Sequence, residues 1–172
     1  VLPEEVVTFL GCKPGKLYVD GTLGGGGHTS LILKATAPTG KVIGMDWDED
    51  AIAAAKERFK NYSERMTLVR ENFANIKKVM EDLDIETVDG ILLDLGISSY
   101  HLERPDRGFS FRFDAPLDMR MDKRQKKTAY NIVNELSHEK LEDIIWKYGE
   151  ERWAKRIAKA IVEERRHGPI AT

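Results

Sequence analysis

Four short apolar runs punctuate residues 1–99, each leading into a polar residue, and stretches of helical spacing separate them. Leu17-Tyr18-Val19 closes on Asp20 and a glycine cluster, and Val42-Ile43-Gly44-Met45 closes on Asp46. Met66-Thr67-Leu68-Val69 leads to Glu71-Asn72, and Ile91-Leu92-Leu93 closes on Asp94. Short continuous runs of this kind are expected of parallel strands buried on both faces. Between them, Asp48 is placed to cap a helix carrying Ile52, Ala55 and Phe59 on one side. Ile76, Val79, Met80 and Leu83 make a second stripe. The βαβαβαβ order predicts an α/β fold, a parallel sheet with right-handed crossovers.

After Asp94 the rhythm stops. Residues 100–127 are irregular and carry Arg104, Arg107, Arg112, Arg120, Lys123, Arg124, Lys126 and Lys127 among Phe109, Phe111 and Phe113. Helices are expected to follow. Ser137 caps one with Leu141, Ile144, Ile145 and Tyr148 as its stripe and Gly149 as its stop. A last helix runs from about Glu150 to Gly168-Pro169, with Trp153, Ile157, Ala160 and Ile161 on one face. No strand signal follows residue 95. Residues 1–99 hold 11 Lys+Arg against 16 Asp+Glu, and residues 100–172 hold 16 against 13. The mildly basic second half suits a polyanionic partner, and equally a set of solvated helix faces.

A chain of 172 residues with one cysteine, Cys12, is one domain or one domain with an appendage, and carries no intrachain disulfide. No apolar run approaches the roughly 20 residues of a membrane span. The acidic opening Val1-Leu2-Pro3-Glu4-Glu5 is unlike a signal peptide, so a soluble cytoplasmic protein is expected, with no membrane partner.

The segment Asp20-Gly21-Thr22-Leu23-Gly24-Gly25-Gly26-Gly27-His28 stands where the first strand meets the first helix. Glycines there let a ligand approach main-chain N–H groups. A P-loop requires Gly-Lys-Ser/Thr, but His28 follows Gly27. The dinucleotide fingerprint, begun at Gly24, requires a sixth-position glycine where Thr29 stands. An acid followed by a loose glycine run is the form common to S-adenosylmethionine sites. Asp46 ends the second strand, 22 residues after Gly24, where a carboxylate can accept from ribose hydroxyls. NAD uses the same acid, so that choice rests on glycine spacing; a tight turn and a helix cap are the plain structural reading. Asp94-Leu95-Gly96-Ile97-Ser98-Ser99 follows the fourth strand, where α/β enzymes place their chemistry. It keeps the acid of the amino-methyltransferase motif without its prolines or aromatic. Asp94 as a simple cap is the alternative.

These stretches resemble the bacterial ribosomal small-subunit RNA cytosine-N4 methyltransferase family. The likeness extends to Asp46-Trp47-Asp48, Asn72-Phe73 and the run from Asp94 through Asp122. That run holds Arg107-Gly108-Phe109-Ser110-Phe111-Arg112 and Asp114-Ala115-Pro116-Leu117-Asp118-Met119-Arg120-Met121-Asp122. The resemblance implies a class I, Rossmann-like methyltransferase sheet over residues 1–103 and a helical substrate-recognition insertion over 104–172. Family members are about twice this length, so the chain is expected to be an amino-terminal fragment with an incomplete sheet. An open sheet edge would favour a homodimer or rearranged helices.

The resemblance further implies S-adenosylmethionine as cofactor, contacted by Asp20, Gly24, Gly26, Gly27, His28, Asp46, Phe73 and Asp94, with His101 where relatives often carry Gln. The implied substrate is 16S ribosomal RNA or the small ribosomal subunit, methylated at a cytidine N4 in the decoding region. Asp94 is the first candidate to assist proton removal and Asp118 the second. The target base must be exposed. Phe109, Phe111, Phe113 and Tyr100 can stack on it, and Arg107, Arg112 and Arg120 can hold phosphates. The alternating phenylalanines equally suit a packed ribbon over the core. No metal is expected, because His28, His101, His138 and His167 are dispersed. An NAD-dependent oxidoreductase, a small-molecule methyltransferase and a non-enzymatic fragment are the competing readings.

Overall fold

The computed structural model describes residues 2–172; the side chains of Ser99 and Tyr100, the latter an expected stacking residue, lie outside the described set. The chain divides into two compact units, one running to Tyr100 and the other comprising His101–Thr172. In the first, strands β1 (Leu17–Asp20), β2 (Lys41–Met45), β3 (Met66–Val69) and β4 (Gly90–Leu92) form a parallel sheet in the order β3-β2-β1-β4. These are the first four positions of the doubly wound order 3-2-1-4-5-6, so the topological switch lies between β1 and β4.

Helices α1 (Pro3–Phe9), α2 (Gly27–Ala35), α3 (Glu49–Arg58) and α4 (Ile76–Asp82) complete this unit. The period-2 alternation of the strands assigns them to the two faces. Tyr18 and Val42 are in register and pack with Leu23, Ile32, Leu33, Ile52, Ala55 and Phe59 on one side. Val19, in register with Ile43, joins Met45, Val79, Ile76 and Met80 on the other. Burial on both faces is why these strands read as unbroken apolar runs. Asp48 caps α3 as expected, accepting the Asp50 N–H at 3.1 Å. Helix α1 has no apolar stripe in the sequence, and none of its residues is buried. At the β4 edge the apolar row continues in the open: Ile91 is 48% exposed, and Leu93, Leu95 and Ile97 are exposed too.

The second unit opens in α5 (Ser99–Glu103), which crosses the division, and continues through a turn of 3-10 helix at Pro105–Arg107 and an irregular segment. Helices α6 (Ala129–Glu135), α7 (His138–Gly149) and α8 (Ala154–Glu164) follow. No strand occurs among the described residues after β4. Helix α6, unexpected from the apolar pattern, is set by a capping box in which Thr128 and Asn131 satisfy each other's backbone. Ser137 caps α7 as expected, and Glu150 ends it in the left-handed region at φ +48°. That turn displaces the start of α8 from Glu150 to Ala154.

The expected face of α8 is not the buried one. Ala154 and Ala158 are buried where α8 packs on α7, whereas Trp153 and Ile157 are exposed. Alanines four residues apart let two helix backbones approach closely, so small residues line the seam. Trp153 instead carries the Arg152 and Arg156 guanidiniums, 5.6 and 5.0 Å from its ring centre. Phe109, Phe111 and Phe113 lie in no strand, and Phe111 is wholly exposed, so they form no packed ribbon.

Ile43, in the second strand and 1% exposed, is the clearest test of the doubly covered sheet. Ile43→Ala is expected to lower the unfolding free energy by about 2–5 kcal/mol. The check is a urea midpoint that falls while the slope of the transition stays constant.

Candidate functional site

The glycine turn between β1 and α2 lies across the carboxyl ends of three strands. Gly21 N–H donates to the Leu92 carbonyl of β4 at 2.9 Å, and Leu23 N–H donates to the Met45 carbonyl of β2 at 2.9 Å. Asp20, 1% exposed at the end of β1, anchors both ends of the turn. Its carboxylate accepts the Thr29 hydroxyl at 2.6 Å and the Thr22 N–H at 3.2 Å. Burial pushes this carboxyl above the usual carboxylate range, and those two hydrogen bonds pull against the shift. Asp20 therefore acts on the shape of the turn.

Asp46 clasps the turn from the other side. One carboxylate oxygen accepts the Gly24 N–H at 2.8 Å and the other accepts the Asp48 N–H at 2.9 Å. A carboxylate has roughly four acceptor positions, so each oxygen keeps capacity for a ligand hydroxyl. The expected spacing from Gly24 to Asp46 is thus a direct contact. Gly26 is held at φ +71°, and a β-carbon there would come 2.6 Å from the Phe59 ring. At Gly25 and Gly27 an added β-carbon would meet nothing within 4 Å. The turn is tight underneath and open above.

Asp94, directly after β4, is brought to the same place. Its N–H donates to the Thr22 hydroxyl oxygen at 2.7 Å, and its carboxylate lies 3.3 Å from His28 Nε2. The other ring nitrogen of His28, Nδ1, is buried without a hydrogen-bond partner, a condition that ligand or water normally relieves. Phe73 opens a 3-10 turn after β3, capped by Asn72, and abuts the base of the glycine turn: a β-carbon on Gly21 would come 3.2 Å from that of Phe73. Asp20, Gly24, Gly26, Gly27, His28, Asp46, Phe73 and Asp94 therefore converge within the first unit.

The remaining expected residues belong to the second unit. His101 is buried with its ring centre 5.2 Å from that of Phe109. Arg107 is 1% exposed and donates to the carbonyls of Arg120 and Met121 at 2.9 and 3.0 Å. Arg120 pairs with both Asp118 oxygens, at 2.9 and 2.7 Å, and reaches the Lys123 and Gln125 carbonyls. Arg124 grips Asp122 in the same way. These arginines brace a segment that has no regular backbone ladder of its own. Phe111 and Arg112 are exposed, and Phe109 is half-buried.

The sequence reading missed Thr22, Thr29 and Arg58 as site residues. Arg58, at the end of α3, donates to the Gly25 carbonyl. Thr22 and Thr29 lie in or beside the glycine motif, where their bonding to acids at either end was the available signal. Among the described residues, no group of three or more His, Cys, Asp or Glu is arranged to hold a metal ion.

An open parallel sheet with a glycine turn after its first strand and an acid after its second defines a nucleoside-binding α/β domain. The model of the MraW methylase family matches residues 1–172, and the chain belongs to that family. The ribosomal RNA small subunit methyltransferase H of Geotalea daltonii is 53% identical over 172 residues, which is 100% of this chain and 55% of the relative. The protein of the same name from Syntrophus aciditrophicus is 54% identical over 170 residues, 99% of this chain and 54% of the relative. The Lachnospira eligens protein is 53% identical over 172 residues. The chain spans about half the length of the curated relatives it matches.

Two predictions test this geometry. Gly26→Ala is expected to cost about 2 kcal/mol or more, from the left-handed backbone and the Phe59 clash, while Gly25→Ala stays within about 0.5 kcal/mol; chemical denaturation of both variants checks the contrast. The second concerns Asp118, whose carboxyl Arg120 holds below the usual carboxylate range against partial burial. A carboxyl depressed in the fold stabilises above its unfolded pKa, about 3.9, and loses that contribution as pH falls through the depressed value. The stability difference between wild type and Asp118→Asn is expected at pH 7 and should shrink as pH falls below about 3.9 and through the depressed carboxyl value.

Proposed function

We propose that the protein transfers a methyl group from S-adenosylmethionine to the exocyclic N4 of a cytidine in the decoding region of 16S ribosomal RNA. The observation that carries the reading is the glycine turn, clasped by Asp46 through the Gly24 amide and open over Gly25 and Gly27. The names of the relatives, ribosomal RNA small subunit methyltransferases, support the substrate class. Residues 1–103 act as the cofactor-binding core and 104–172 as the substrate-recognition part. The reaction belongs to the cytoplasm, on ribosomal RNA free or assembled.

The residues present fit the cofactor. Asp46 retains acceptor capacity for ribose hydroxyls, Phe73 stands beside the glycine turn for the adenine, and the unpartnered Nδ1 of His28 marks a polar position awaiting a ligand. Gly24, Gly26 and Gly27 keep the turn low, with Asp20 holding it from beneath. When bound, S-adenosylmethionine supplies an electrophilic methyl group carried on a positively charged sulfur. The protein's task is alignment at near-attack distance with water excluded.

Cytosine N4 is a weak nucleophile because its lone pair is delocalised into the ring. A carboxylate accepting one N–H favours pyramidalisation and takes the proton released as the new C–N bond forms. Asp94, at a strand end and 41% exposed at its side chain, suits that role. Asp118 suits it poorly, because Arg120 occupies both its oxygens and lowers its basicity. Phe111 and Arg112 offer an exposed ring and charge for the RNA.

Calorimetry with S-adenosylmethionine against NAD tests the cofactor; preferential binding of NAD would overturn the reading. In the full-length enzyme, Asp94→Ala is expected to reduce turnover on small-subunit particles about 100-fold or more. A variant that keeps its turnover and loses only cofactor affinity would make Asp94 a binding residue alone.

A further inference from the structure

The glycine turn and the segment after β4 are joined by a circuit of hydrogen bonds that closes on itself. Asp20 accepts the Thr22 N–H at 3.2 Å, and the Thr22 hydroxyl oxygen accepts the Asp94 N–H at 2.7 Å. Asp94 Oδ2 lies 3.3 Å from His28 Nε2, and Thr29, the next residue, returns its hydroxyl to Asp20 at 2.6 Å. Two of these contacts span 72 and 66 residues of sequence. They reach Asp94 in different ways: His28 meets its carboxylate, and Thr22 holds its backbone.

Leu93 lies against Gly21, where an added β-carbon would come 2.6 Å from its Cδ2, and Ser98 stands near Gly24, so the chain leaving β4 runs beside the glycine turn. The Thr22 hydroxyl is the side-chain anchor at the point where the acid leaves the strand. An orienting contact matters more than its own strength suggests, because a misplacement of about 1 Å at a reacting group can cost about 100-fold in rate.

We infer that Thr22 is a positioning residue, whose hydroxyl oxygen fixes the Asp94 backbone and thereby aims the carboxylate at the amine it relieves of a proton. The inference rests on the methyl-transfer reading above. Thr22 belongs to the turn that carries the cofactor, so the same segment that receives the methyl donor also orients the proton acceptor. The hydroxyl is required as an acceptor; a side chain of equal shape without the oxygen cannot replace it.

The test compares wild type, Thr22→Val and Thr22→Ser in the full-length enzyme. The readouts are S-adenosylmethionine affinity by calorimetry, single-turnover transfer to small-subunit particles, and hydrogen exchange at the Asp94 amide. Thr22→Val is expected to bind the cofactor within about twofold of wild type, to exchange the Asp94 amide about tenfold faster, and to transfer methyl about tenfold more slowly. Thr22→Ser, which keeps the acceptor, is expected within about threefold of wild type on every readout. Unchanged exchange or unchanged transfer in Thr22→Val would overturn the inference, as would a loss of affinity equal to the loss of rate. So would failure of Thr22→Val to fold while Thr22→Ser stays normal, which would make the residue structural. Wild type that binds no S-adenosylmethionine would overturn the methyl-transfer reading itself, a result distinguishable from all of these.

Discussion

A single buried carboxylate, that of Asp20, holds the first unit's functional surface in shape. Removing an acid from water is unfavourable unless hydrogen bonds replace the lost hydration, and here the Thr29 hydroxyl and the Thr22 amide do so. Those donors come from opposite ends of the glycine run. Satisfying the acid therefore draws the end of β1, the turn and the first turn of α2 together. Asp46 repeats the arrangement from β2 through Gly24. With both flanks pinned by acids, the intervening glycines need no packing partners above them, and the face at Gly25 and Gly27 stays clear.

The legible parts of the fold are those in which one physical pressure dominates. Tyr18, Val19, Val42 and Ile43 read as strand because both sides of the sheet are covered. Asp48 reads as a cap because its helix starts at the next residue. The acid at position 46 was legible from spacing because the distance from Gly24 is set by one helix and one strand. Illegible parts depend on polar exchange. Helix α6 exists through the Thr128–Asn131 box rather than an apolar stripe. The face of α8 was assigned to Trp153 and Ile157 because large residues usually mark the interior; Ala154 and Ala158 took the seam by allowing close approach.

The arginines of the second unit show the limit of reading charge from composition. Of the arginines expected to hold phosphates, Arg107 and Arg120 reach carbonyls or carboxylates of their own segment, as Arg124 does, while Arg112 is exposed. An irregular chain must still satisfy its backbone carbonyls, and a guanidinium with five donors can serve several at once. The buried Arg107 therefore serves its own segment, while Arg112, Lys126 and Lys127 are exposed.

The clasped glycine turn has an energetic consequence for whatever settles on it. Ordering a flexible loop around a guest would cost roughly 1–2 kcal/mol for each residue immobilised. Here the conformational entropy of the turn is surrendered during folding, before any guest arrives, so contacts made later translate more fully into affinity. The cradle is preorganised, and its selectivity lies in a rigid outline rather than in closure around the molecule it accepts.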